Sequence, residues 1–166
     1  MPAETNLYYI KVPTEVCPVG HPVRFLPIHE FLENEEACRA LWDLVSSQFS
    51  TRSKFLAVWP HVRFVAVHWD DRGIGGMLLV STPINWQIDY VVVHETRRGQ
   101  GIATSLVTET VNQAVSRQVP YVMLTSQERL RPLYAGQCGF VPVAASNGTP
   151  ISQANGALAL ANGNVH

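Results

Sequence analysis

The sequence predicts an α/β protein built on one mixed sheet, on three observations. Residues 62–69 and 74–82 are apolar, strand-like runs joined by Asp70-Asp71-Arg72-Gly73, the pattern of a hairpin. Residues 86–93 form another such run, which passes through a glycine-rich turn into a helical repeat and then a strand at 121–125. A separate helical repeat precedes the hairpin, at 29–49. Antiparallel strands followed by a strand–helix–strand unit place helices on both faces of a mixed, mostly antiparallel, twisted sheet.

In chain order, residues 7–12 and 23–28 read as strands, separated by a Pro- and Gly-containing loop at 13–22. Within 29–49, Phe31, Cys38, Leu41, Trp42, Val45 and Phe49 recur at helical spacing. Glu30, Glu33, Glu35 and Glu36 oppose them and put negative charge in the first turn, at the positive end of the helix dipole. Residues 50–60 are ambiguous, with room for a short helix around 54–58, and Pro83-Ile84-Asn85 turns the chain into 86–93. The helix of 99–117 turns Ile102, Leu106, Val107, Val111 and Ala114 inward, and Gln118-Val119-Pro120 breaks it. Residues 127–137 read as helical, starting near Leu130 because Pro132 suits a first turn better than an interior. Cys138-Gly139-Phe140 ends that helix and 140–144 is a strand. From 145 the tail is rich in Asn, Gly, Ser and Ala; residues 156–161 fit a last strand or a frayed end equally.

A chain of 166 residues with 46% hydrophobic and 15% charged residues suits a single domain over 1–166, with its motifs concentrated in about 62–143. The net charge of -1 supplies no electrostatic footprint for nucleic acid. Cys17, Cys38 and Cys138 are odd in number and widely spaced, which argues against a disulfide framework or a zinc site and suits a reducing cytosol. The N-terminus lacks the basic and apolar regions of a secretory signal, and no apolar run approaches the roughly 20 residues of a membrane span. The expectation is a soluble cytoplasmic protein without a metal, for which a homodimer stays open.

Val91-Val92-Val93-His94-Glu95-Thr96-Arg97-Arg98-Gly99-Gln100-Gly101-Ile102-Ala103-Thr104 carries the chemistry. Strand, glycine-rich turn and helix start together offer backbone N–H groups and the positive helix end to an anion. Gly99 and Gly101 let a phosphate approach the backbone, and Arg97 and Arg98 can donate to its oxygens. A dinucleotide fingerprint does not fit: Gly99-x-Gly101-x-x-Thr104 lacks the third glycine, and Glu109 falls too early for a ribose contact. The segment resembles motif A of the GNAT superfamily of N-acetyltransferases, read here as Arg98-x-x-Gly101-x-Ala103. That resemblance implies acetyl-coenzyme A as acyl donor, its pyrophosphate held by Arg97, Arg98, Gly99, Gln100, Gly101, Ile102, Ala103 and Thr104. It also implies a bulge that splays the strand ending Val91-Val92-Val93 from a parallel neighbour, so that this backbone holds the thioester.

Residues 127–140 are similar to a second GNAT segment, in which a helix carries Asn, then Tyr, then a Gly-Phe pair. Gln127 takes the place of the Asn and is implied to bind cofactor. Tyr134 takes the place of the tyrosine that protonates the departing thiolate. The Gly139-Phe140 pair comes one residue later than the common spacing, with Gly136 as the expected point of accommodation. Amine attack also needs a base. Asp89 is the first candidate, on the face of Gln87 and Val91 if strand pairing is regular, against an equal reading as a buried hydrogen-bonding acid. His68 could relay a proton through water, though a half-buried structural histidine is the simpler reading. Ser126 reads as a helix cap by default, or as a hydrogen-bond partner for substrate or cofactor.

The expected function is transfer of an acetyl group from acetyl-CoA to a primary amine by direct attack in a ternary complex. A small-molecule amine is favoured over a protein N-terminus or lysine, and a longer acyl-CoA fits the same loop. The rival of another class is a CoA-binding sensor or scaffold without turnover.

Overall fold

In the computed structural model, residues 5–48, 52–82 and 85–145 are described. Seven strands form one sheet: β1 (Asn6–Lys11), β2 (Val23–Pro27), β3 (Val62–Asp70), β4 (Gly73–Ser81), β5 (Trp86–Val93), β6 (Val122–Gln127) and β7 (Val141–Ala145). Their order is β2-β3-β4-β5-β6-β1-β7, and every neighbouring pair is antiparallel except β5 and β6. Four helices accompany them: α1 (Ile28–Leu32), α2 (Glu35–Gln48), α3 (Arg52–Val58) and α4 (Ile102–Ser116). The mixed sheet expected from the element order is the sheet observed.

Strand alternation divides the core between the two faces. On one face α4 lays Ile102, Leu106, Val107, Val111 and Ala114 against the sheet, where Ala66 and Leu78 project. On the other, Phe31, Leu41, Val45 and Phe55 of the first three helices pack on Val65, Val67, Met77 and Leu79.

The helix expected over 29–49 is two helices. The Asn34 amide closes α1 on the Phe31 carbonyl at 3.0 Å, and the Asn34 side-chain oxygen accepts from the Ala37 amide at 2.9 Å as the cap of α2. Glu35 and Glu36 then occupy the first turn of α2, where their charge meets the helix dipole. The helix expected from 99 starts at Ile102, because Gly99 and Gly101 both hold positive φ. Its end is as the sequence reads: Gln118 adopts φ 58° after the last turn. The neighbours of the first strand were open in the sequence. β1 lies between β6 and β7, far from β2. Phe49, residues 83–84 of the expected turn and the possible strand at 156–161 lie outside the described residues.

Replacing Asn34 with Ala removes the cap of α2, and the expected loss is about 1 kcal/mol of stability. Urea unfolding followed by circular dichroism reads it; an unchanged midpoint would mean that α2 begins without this cap.

Candidate active site

The site begins where two strands part. β5 pairs with β6 at Trp86↔Val122, Gln87↔Met123 and Ile88↔Leu124, and no further. On its other side β5 slips against β4: Leu79 faces Tyr90 while Val80 faces Ile88, which leaves Asp89 as the extra residue of a bulge. Trp86 and Ile88 pack on the α4 face, whereas Tyr90 and Val92 pack on the opposite face. The bulge thus reverses the alternation. Asp89 shares a face with Gln87 but not with Val91, contrary to the expectation from regular pairing. Past the last rung, Val91, Val92 and Val93 run on without β6 beside them, which opens a cleft along their backbone.

Beyond β5 the chain makes one 3-10 turn (Glu95–Arg97), passes Gly99 (φ 77°) and Gly101 (φ 87°), and enters α4. The first helical bond runs from the Ser105 amide to the Gly101 carbonyl at 3.0 Å. The amides of Ile102, Ala103 and Thr104 precede it, and no acceptor among the described residues engages them. Three free N–H groups at a positive helix end are an arrangement able to hold an anion. The Arg98 side chain is exposed beside it, with Nε 3.4 Å from the Val93 carbonyl. Thr104 Oγ1 donates to Gln137 Oε1 at 2.6 Å and ties α4 to the chain segment that carries Tyr134.

Arg97, read from the sequence as a second phosphate donor, points the other way. Its guanidinium is buried, with Nη2 2.5 Å from Asp70 Oδ2 and 3.2 Å from His68 Nε2. His68 donates from Nδ1 to the Pro22 carbonyl at 2.8 Å, which leaves Nε2 to accept from Arg97. A Cβ on Gly75 would come within 2.8 Å of the His68 ring and 3.1 Å of Arg97 Nη1, so only glycine leaves room for this cluster. The Arg97 hydrogen bonds, with the Arg72 amide assisting, hold the Asp70 carboxyl down at about 2. His21 completes the support: its Nε2 donates to the Gln100 carbonyl at 2.6 Å and its amide to Ser105 Oγ at 3.1 Å. Nothing in the local sequence distinguishes Arg97 from Arg98, because their difference lies in which one meets Asp70, 27 residues away.

The segment of Tyr134 is a 3-10 turn (Glu128–Leu130) followed by a π-helical turn (Pro132–Gln137). The Cys138 amide reaches the Leu133 carbonyl at 3.0 Å, five residues back. This wider winding absorbs the extra residue before Gly139-Phe140. Gly136 has no positive φ and open space where a Cβ would stand, so it is not the accommodating point. Tyr134 is buried 5.6 Å from the Tyr9 ring. Burial, reinforced by Cys138, pushes its hydroxyl up to about 12 against the opposing hydrogen bond with Ser126. Ser126 is therefore a partner of Tyr134 and not a helix cap. Gln127 ends β6 opposite Asn6 and caps nothing. Tyr9, which the sequence did not single out, brings a buried hydroxyl without a partner. It reaches Tyr134 only because β1 lies beside β6.

Asp89 and His68 are on opposite faces of the sheet. His68 follows Ala66 on the α4 side, among Arg97 and Pro22. Asp89 faces a cavity of about 390 Å3 bordered by Val58 of α3, Ser81 and Gln87. Burial raises the Asp89 carboxyl above its ordinary range, against a hydrogen bond from Ser81 and the charge of His61, and Oδ2 is buried without a partner.

Residues 28–140 match the model of the acetyltransferase (GNAT) family, which is more than half of the chain. The chain belongs to the GNAT acetyltransferase family. Its fold is similar to that of a GCN5-related N-acetyltransferase from Sphaerobacter thermophilus, at 20% identity and a TM-score of 0.63 over 86% of this chain and 49% of that one. A putative GNAT acetyltransferase from Novosphingobium aromaticivorans gives 17% identity and 0.59 over 86% of this chain and 61% of that one. A tandem GNAT protein from the clavulanic acid biosynthesis pathway gives 16% and 0.51, over 84% of this chain and 50% of that one. The chain spans about half the length of the first and third of these. No curated protein sequence matches significantly. GNAT acetyltransferases in general use acetyl-CoA, and this GNAT domain offers matching parts: free amides at a glycine-rich helix start, an exposed arginine, and a parallel strand pair that separates after three rungs.

Asp70→Asn should loosen Arg97 and with it the glycine-rich loop, weakening CoA binding by roughly tenfold in calorimetry. Because the folded pKa of Asp70 is depressed, its stabilising contribution is complete above about 3.9 and is lost as pH falls through about 2. The variant should therefore also flatten the stability loss between those values. Unchanged CoA affinity would show that the loop holds its shape without the Asp70–Arg97 pair.

Proposed function

We propose that the protein is an N-acetyltransferase that moves an acetyl group from acetyl-CoA to a small primary amine by direct attack in a ternary complex. The observation that carries the reading is the glycine-rich start of α4 with its unengaged amides, supported by a bulge that sets the Asp89 carboxylate on a cavity across the sheet. The amides of Ile102, Ala103 and Thr104, with Gly99, Gln100 and Gly101 shaping the loop, would hold the pyrophosphate, and Arg98 would add its charge. Arg97 would position the loop from beneath. The backbone of Val91, Val92 and Val93 would hold the pantetheine arm, with Gln127 at the far side of the cleft. When bound, acetyl-CoA supplies an activated thioester.

The remaining work falls to Asp89 and Tyr134. The Asp89 carboxylate would take the proton of the attacking amine, and its raised pKa narrows the gap between acceptor and donor. The Tyr134 hydroxyl stays protonated at neutral pH. At about 12 it is a weak donor to a thiolate of ordinary pKa near 8.5. Burial lifts thiols in the same core as well, as it lifts Cys138 to about 11. Tyr134 would thus support the departing sulfur as a hydrogen-bond donor that yields its proton late. A cavity of about 390 Å3 suits a small acceptor better than a protein surface. A longer acyl-CoA would use the same loop.

Thiol release from acetyl-CoA in the presence of an amine library tests the reading. CoA binding without release for any amine would favour a binding module. Tyr134→Phe keeps the ring and should lower kcat about 10²-fold with little change in KM for acetyl-CoA; wild-type kcat would reduce Tyr134 to packing. With Asp89 as base, kcat/KM falls as pH drops through its raised pKa, so the acidic limb lies above the usual carboxylate range near 3.9. Asp89→Asn should remove that limb, and a limb left in place would exclude Asp89.

A further inference from the structure

We infer that the acceptor is a small amine that also carries a carboxylate, an amino acid, held between Asp89 and Arg63. The inference rests on the acetyl transfer proposed above and names the substrate class of the same site. Asp89 is not the only bulged residue here. On the far side of β4, Val62 faces Ser81 and Phe64 faces Val80, which leaves Arg63 as an extra residue of β3. Val80 is thus flanked by two bulges, Arg63 on one neighbour and Asp89 on the other. Bulges re-aim side chains, and both residues border the cavity under α3, with His61 beside them. Two strand spacings separate their backbones by about 10 Å, a span that the Asp89 carboxylate and the exposed, flexible Arg63 side chain could share around one small ligand.

Each end has capacity to spare, Asp89 beyond its hydrogen bond with Ser81 and Arg63 as an exposed guanidinium. Asp89 Oδ2 is buried without a hydrogen bond. Arg63 Nη1 meets only the Pro60 and Val62 carbonyls, at 3.4 and 3.3 Å, and among the described residues no carboxylate pairs with it. An ammonium against Asp89 and a carboxylate against Arg63 would answer both, the second by a forked charge-assisted hydrogen bond. Other amines fit worse. A polyamine would set a second cation against Arg63, and a plain amine would leave the guanidinium unanswered. A peptide N-terminus has no carboxylate next to its amine.

The test compares each common amino acid with its amide and its decarboxylated amine as acceptors, for the wild type and for Arg63→Gln, with circular dichroism to confirm folding. The best amino acid should exceed its amide and amine by about tenfold or more in kcat/KM. Arg63→Gln should raise KM for that amino acid by a similar factor and far more than it affects the amide, with KM for acetyl-CoA unchanged. Preference for amines without a carboxylate, or an Arg63→Gln enzyme with the wild-type preference, overturns the inference. Turnover of peptides or polyamines but no amino acid sinks the inference alone. No thiol release for any amine, despite CoA binding, sinks the transferase reading beneath it.

Discussion

A parallel pair of strands that separates after three rungs determines where everything else in this protein can act. Inside a sheet, backbone N–H and C=O groups are consumed by neighbouring strands, and a ligand finds no purchase there. Here the bulge at Asp89 turns β5 away from β6 and reverses which side chains face which helix layer. The same irregularity sets the Asp89 carboxylate on the cavity bordered by α3. The core tolerates this because each side of the bulge still buries its own set: Ile88 under α4, Tyr90 and Val92 under the first three helices.

The glycine-rich loop downstream has a different need. Gly99 and Gly101 leave it without side chains to pack, so its shape must be imposed from outside. Arg97, anchored to Asp70 and His68, does so from below, and His21 does so from the side through the Gln100 carbonyl. Two adjacent arginines therefore divide their work. One guanidinium is buried and sets the geometry of the loop, and the other stays in solvent. The arrangement also links the loop to the segment before β2, whose Cys17 backbone is clasped by Asn112 of α4 at 2.9 and 2.8 Å.

Much of this was legible in the sequence. Residues 86–93 read correctly as β5 because the run is β-branched and bounded by turn residues, and α4 read correctly because its apolar face has helical spacing. The glycine-rich loop was visible because strand, glycines and helix start are contiguous. What failed depends on distant partners. Arg97 and Arg98 are identical locally, and only the folded position of Asp70 separates them. The break at Asn34 was hidden inside a continuous helical pattern, since a cap residue interrupts a helix without disturbing its periodicity. The place of β1, and with it Tyr9 beside Tyr134, depends on which sheet edge accepts the first strand. The late Gly139-Phe140 pair was noticed, but its solution as a π-helical turn required the backbone.

The central claim is that the start of α4 is a ready-made phosphate site at the mouth of the cleft, and Gly101 tests it most directly. It caps α4 at φ 87°, and a Cβ there would meet no protein atom closer than the His21 ring at 3.7 Å. Gly101→Val should leave the fold intact by circular dichroism, at a conformational cost of about 1–2 kcal/mol, while placing its side chain where a phosphate must approach. Calorimetric titration of the two proteins with CoA should show binding by the wild type and its loss in the variant. Equal affinity for both, with both folded, would contradict the account.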